Sequence, residues 1–263
     1  MNLIESDVIA NGIRLHVYRT ESDLPPLLFA HGMSDNGLCY WPIAQHFADQ
    51  YEIIMYDSCN HGRSEAPARA TSLLDRAHDL AGLIEALDLQ KPIVVGHSMG
   101  AVTAMIFAGL YPEVPGRIVL EDPPLFEMME NRDPSFEEWR AGAALNRKRP
   151  LEELIEMSRQ EGPHWDEAER VPWAESKQQF HLNTFDEIPV PAIEANQICA
   201  GITCPTLLIT GDLEKGALYP PASAKQFVSQ MPNGRHVHIA GAGHSIRRDR
   251  PVEFITAVHD FLE

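Results

Sequence analysis

From Pro92 to Tyr111 the chain runs for twenty residues without Asp, Glu, Lys or Arg. A run of that length is long enough to cross a bilayer, but this one is interrupted near its start. Gly96-His97-Ser98-Met99-Gly100 sets a hydroxyl between two glycines, after the apolar Ile93-Val94-Val95 and before Ala101-Val102-Thr103-Ala104-Met105. The interruption divides the run into a buried strand, a sharp turn and a buried helix. A strand apolar on both faces, followed at once by an apolar helix, belongs in a parallel sheet covered by helices.

Other short apolar runs repeat the pattern: Pro26–Ala30, Glu52–Tyr56, Arg117–Leu120, Pro205–Thr210 and His236–Ile239. Between them, 71–89 places Leu73, Leu74, Ala77, Leu80, Ala81, Ile84 and Leu87 at helical spacing, with Ser72 and Asp75 as a capping box. The alternation over Ile9–Tyr18 around Asn11-Gly12 predicts an antiparallel hairpin at the start. Pro251 opens a last helix holding Val252, Ile255, Val258 and Leu262. The expected class is α/β, a mostly parallel central sheet flanked by helices.

From about Pro123 to Ile202 the strands stop and charges become dense. Helical pieces over 136–145 and 151–160 are broken by Pro134, Pro150, Gly162-Pro163, Pro172 and Pro189-Val190-Pro191. The expected organisation is a core of 1–122 and 203–263 with a helical cap inserted at 123–202.

A formal charge of −17 repels phosphate backbones and anionic lipid, so neither nucleic acid nor a membrane is an expected partner. Cys39, Cys59, Cys199 and Cys204 show no CxxC pair, and the early acids Glu5 and Asp7 do not suit an export signal. Reduced thiols and a cytoplasmic location are the expectation; nothing here bears on oligomeric state.

Gly96-His97-Ser98-Met99-Gly100 matches G-x-S-x-G between a strand and a helix, where the turn lifts the serine hydroxyl above the sheet edge. A serine at its free pKa needs a base to act as a nucleophile. Of twelve histidines, His244 alone follows the last strand in a small-residue loop, Gly241-Ala242-Gly243-His244-Ser245, and it is the expected base. Strand 26–30 ends in His31-Gly32-Met33, so the backbone N–H groups of Met33 and Met99 are the expected oxyanion donors. His236 and His238 alternate on a strand with no carboxylate or third histidine beside them in sequence, which suits solvent-facing positions better than a metal site.

In this order His31-Gly32, Asp57 to Ser64, Gly96 to Gly100 and Gly243-His244 resemble the α/β-hydrolase fold serine hydrolases, esterase- and lactonase-like. The resemblance places Asp57 and His61 in a structural turn and calls for no cofactor or metal. It also implies a triad acid, normally after strand 205–210, where Asp212 and then Glu214 stand; some relatives use the preceding strand, here Glu121 or Asp122. Asp212 is the first choice. The activity implied is acyl transfer to Ser98 and hydrolysis of a small carboxylic ester or lactone. Amidase, C–C hydrolase and acyltransferase chemistry use the same groups, and a ligand-binding receptor can keep them idle. Phe126, Met128, Met129, Trp139, Trp165, Trp173 and Trp41 are candidate substrate contacts, each also a candidate for plain packing.

Overall fold

The computed structural model describes residues 3–130, 135–231 and 233–263. Among them are β1 (Ile4–Ala10), β2 (Ile13–Arg19), β3 (Pro26–Ala30), β4 (Glu52–Tyr56), β5 (Ile93–His97), β6 (Arg117–Glu121), β7 (Thr206–Thr210) and β8 (Gly234–His238). The α-helices are α1 (Trp41–Ala44), α2 (Leu73–Ala86), α3 (Met99–Leu110), α4 (Phe126–Glu130), α5 (Ser135–Asn146), α6 (Leu151–Glu161), α7 (Arg170–Gln179), α8 (Ala192–Cys199), α9 (Pro221–Ser229), α10 (Ile246–Asp249) and α11 (Pro251–Leu262).

The strands form one sheet in the order β1-β2-β4-β3-β5-β6-β7-β8. β1 and β2 pair antiparallel through a turn with Asn11 at φ 48° and Gly12 at φ 79°, and β2 pairs antiparallel with β4. Every later pairing is parallel. The chain leaves β3 towards β4 on one side and returns to β5 on the other, so the loops after β3 and β5 part in opposite directions. A crevice opens at that switch point, at the carboxyl ends of the strands.

Strand residues are apolar on both faces because both faces are covered. Leu28, Ile54, Val94, Ile118, Leu120 and Leu208 pack with α2, α3 and α8 on one side. Their neighbours Leu27, Phe29, Ile53, Met55, Val95, Val119, Leu207 and Ile209 pack with Ile43, Phe47, Phe254, Val258 and Phe261 on the other. The capping box is present: Ser72 Oγ accepts from Asp75 N, and Asp75 accepts from Ser72 N, which stops α2 unwinding at its first turn. The twenty-residue uncharged run is β5, the turn and α3, and among the described residues no helix is long and apolar enough to cross a membrane.

Between 123 and 202 the described residues form helices, with one isolated bridge from Ser72 to Ile188. α6 and α7 enclose a small cluster of Leu154, Trp165, Trp173 and Ala174. α8 packs instead on α3 in the main core through Ala195 and Cys199. Pro134, expected to break the helical pieces, lies outside the described residues.

Candidate active site

β5 delivers Ser98 into a turn that few side chains tolerate. Its backbone sits at φ 52°, ψ −116°, a strained region costing on the order of 1–3 kcal/mol. Ser98 N is held by Glu121 O at 2.9 Å and Ser98 O accepts from Val102 N at 3.0 Å, so strand and helix together impose the strain. The turn closes only because its flanks lack side chains. A Cβ on Gly96 would strike Gly100 O, and one on Gly100 would strike Ala30 O.

His244 Nδ1 lies 2.7 Å from Asp122 Oδ2. Asp122 is fully buried just past the end of β6, and its carboxylate also accepts from Leu218 N at 2.8 Å and Tyr219 N at 3.1 Å. A carboxylate with a backbone donor on each oxygen is an acceptor towards His244, which leaves the His244 proton on Nδ1 and a lone pair on Nε2. This is the geometry that a base-orienting acid requires.

The expectation that Asp212 fills that place is corrected. Asp212 accepts from Gly241 N at 2.6 Å and pairs with His238 Nε2 at 2.9 Å. The reason lies in the path of the 239–245 loop. Asp212 N donates to Ala242 O at 2.8 Å, and a Cβ on Gly211 would meet Ala242 O and Gly243 O, each at 2.6 Å. The loop therefore crosses directly over the end of β7 and sets His244 down at β6. Glu214 is exposed in a single 3-10 turn, and Glu121 is buried against Arg247.

His97, expected only as the variable position of the elbow, is a site residue that sequence reasoning missed. It is buried, its ring lies 4.7 Å from that of His244, and Nε2 donates to His244 O at 3.0 Å. Burial, with Arg247 and His244 nearby, holds it well below the usual histidine range. It is a neutral strut under the loop that carries His244.

A buried charge network ties the site together. Asp35, two residues past Met33, accepts from Arg247 at 2.8 Å and Arg248 at 3.0 Å and stands 3.4 Å from Lys177 Nζ. Burial opposes its charge, but Arg248, Lys177 and Arg247 outweigh that and hold it well below the usual carboxylate range. Arg247 also donates to Glu121, and Arg248 to Glu169 at 2.9 Å. The loop after β3, the end of β6, α10 and α7 are thereby joined at one point.

Two cavities meet at Met33, Ser98, Trp139 and His244. One, of about 640 Å³, is lined by Leu73, Met99, Met128, Met129, Ile188 and Leu218 among others. The second, of about 400 Å³, includes Asp35, Asn146, Trp165, Trp173, Lys177 and Arg248. Of the candidate contacts, Met128, Met129, Trp139, Trp165 and Trp173 reach a cavity. Phe126 and Trp41 pack in the two sheet cores.

Asp57 accepts from Gly37 N at 2.8 Å and Arg63 N at 2.7 Å, as a turn residue does. His238 is exposed, as expected, and His236 is half-buried; both contact Thr210 Oγ1, at 2.8 and 3.3 Å. Among the described residues no group of three or more His, Cys, Asp or Glu could hold a metal ion.

A family model described as alpha/beta hydrolase fold matches residues 25–250. The chain belongs to the α/β hydrolase fold family, whose members among its relatives are hydrolases of several bond types. It is 27% identical over 271 residues to the serine hydrolase BPHL of Mus musculus, covering 97% of this chain and 85% of that one. It is 34% identical over 104 residues to 2-(acetamidomethylene)succinate hydrolase of Mesorhizobium japonicum, a match spanning 40% of this chain and 37% of that protein. Among solved structures, the N-formylmaleamic acid deformylase of Pseudomonas putida superimposes with a TM-score of 0.82 at 25% identity, covering 97% of this chain and all of that one.

Proposed function

We propose that the protein is a serine hydrolase that cleaves a carboxylic ester or lactone through an acyl-enzyme on Ser98. The observation that carries the reading is the His244–Asp122 contact of 2.7 Å beside a strained Ser98 at the mouth of two cavities. Ser98 Oγ attacks the carbonyl carbon while His244 Nε2 takes its proton, and Asp122 holds the Nδ1 proton and steadies the imidazolium. The carbonyl oxygen becomes an oxyanion held by Met99 N–H, at the first turn of α3, and by Met33 N–H. The C–O bond breaks, His244 returns the proton to the leaving alcohol, and water repeats the sequence to release the acid.

The cavities support a substrate whose carbonyl separates two unlike halves. The apolar lobe, rich in Met and Leu, suits a hydrocarbon group; the smaller lobe, with Asn146 and Lys177, suits a polar one. An amide of a polar acid is the second reading, favoured by the charged groups of that smaller lobe and by the amide named in the deformylase relative. A matched panel of p-nitrophenyl esters, lactones and N-acyl amides separates the two. Esters or lactones are expected to exceed amides in kcat/KM, with all turnover lost in Ser98→Ala. Amide turnover without ester turnover would overturn the ester reading.

A further inference from the structure

The turn that carries Met33 is built under strain. Gly32 O accepts from Asp35 N at 3.2 Å, closing four residues with Met33 and Ser34 at the centre. Ser34 sits at φ 65°, the left-handed conformation that a type II turn demands of its third residue and that Gly or Asn usually supplies. A serine there costs on the order of 1–2 kcal/mol, so its neighbours must hold it.

Two buried histidines do so. His31 Nε2 accepts from Ser58 N at 2.9 Å, which puts its proton on Nδ1, and Nδ1 donates to Gly32 O at 2.8 Å. His61 Nδ1 donates to Cys59 O at 2.9 Å, which leaves Nε2 to accept from Ser34 N at 3.3 Å. Each tautomer is fixed by the backbone group on its far side. Burial holds both rings below the usual histidine range, so both are neutral, as these bonds require. The two rings lie 5.0 Å apart, and Phe180 covers His61 at the same distance. From the other side, Ser176 Oγ and Lys177 Nζ donate to Ser34 O at 2.9 and 2.8 Å.

These bonds seize the peptide groups on both sides of Met33. In a planar trans peptide the N–H points opposite to the carbonyl, so fixing Gly32 O fixes the direction of Met33 N–H. A carbonyl that accepts two hydrogen bonds also polarises its own amide and strengthens that N–H as a donor. The turn stands against the elbow: a Cβ on Gly32 would lie 3.4 Å from Ser98 Cβ and 2.5 Å from His97 Nδ1. We propose that His31 and His61 are positioning residues for the reaction at Ser98, a paired-imidazole clamp that presets Met33 N–H as an oxyanion donor. The proposal rests on Ser98 being the nucleophile, and it concerns the tetrahedral state rather than substrate binding.

The test compares wild type with His61→Phe, which keeps the ring packing but has no nitrogen, and His61→Gln, which keeps an acceptor for Ser34 N. For a p-nitrophenyl ester, His61→Phe is expected to lose roughly 100-fold in kcat with KM within about threefold, and His61→Gln to regain at least about tenfold. Affinity for phenylboronic acid, whose Ser98 adduct carries the tetrahedral oxygen, is expected to fall by a similar factor. Unchanged kcat in a folded His61→Phe, a loss carried by KM, or no rescue by Gln would overturn the clamp. Should His61→Phe not fold, His31→Phe carries the same expectation and the same refutation. A wild type that turns over esters while these variants behave normally refutes the clamp alone; a wild type without ester turnover refutes the reading beneath it.

Discussion

Asp122→Asn is expected to lower kcat on a small p-nitrophenyl ester by about 10⁴-fold while the protein stays folded. The backbone there has φ 41°, which Asn accepts readily, and the side chain keeps its size. Its chemistry does not survive. His244 Nδ1 and Leu218 N share one carboxylate oxygen and Tyr219 N takes the other, so an amide NH₂ in the place of the shared oxygen faces His244. His244 Nδ1 is then bare and Nε2 protonated, the tautomer that cannot take a proton from Ser98; with the amide turned the other way, the negative charge that steadies the imidazolium is gone. Asp212→Asn is expected to stay within about threefold of wild type, because that carboxylate serves Gly241 and His238, away from His244. The reverse ranking in steady-state kinetics would contradict the assignment.

The largest stability effect is expected at Arg247. Its guanidinium is fully buried between Glu121 and Asp35 and lies 4.5 Å over the Tyr40 ring. Burial pushes the Glu121 carboxyl up, and Arg247 is the nearest group that opposes this. Arg247→Met leaves Glu121 buried without its cation and removes one of three from Asp35, a loss of about 3–5 kcal/mol. For a chain of this size that lowers the melting temperature by roughly 10 °C. Arg247→Met with Glu121→Gln is expected to recover part of it, since the stranded charge is then gone. A single variant within a degree or two of wild type, or a double variant no better than the single, would refute this account of the network.

Most of the sheet could be read from the chain because buried parallel strands declare themselves locally. Ile93-Val94-Val95 and Leu207-Leu208-Ile209 are apolar on both faces for the reason that both faces are covered. Ser98 and His244 stand at strand ends flanked by small residues, which is also a local signal. The acid is a different kind of fact. Asp122 and Asp212 each follow a strand end, on neighbouring strands, and their own sequences do not rank them. What decides is where the 239–245 loop crosses, and that rests on a tertiary contact, the close approach of Ala242 O and Gly243 O to Gly211, which neither segment announces alone. His97 escaped for a similar reason: it is a variable position of the motif, and only its hydrogen bond to His244 O and its tilted ring contact with His244 give it work.

The most direct measurement of the central claim is covalent labelling of the full chain with a fluorophosphonate probe, followed by peptide mapping. One label is expected, on the peptide carrying Ser98, abolished in Ser98→Ala and strongly slowed in His244→Ala and Asp122→Asn. Labelling that persists in Ser98→Ala, or a folded wild type that takes no label, would contradict it.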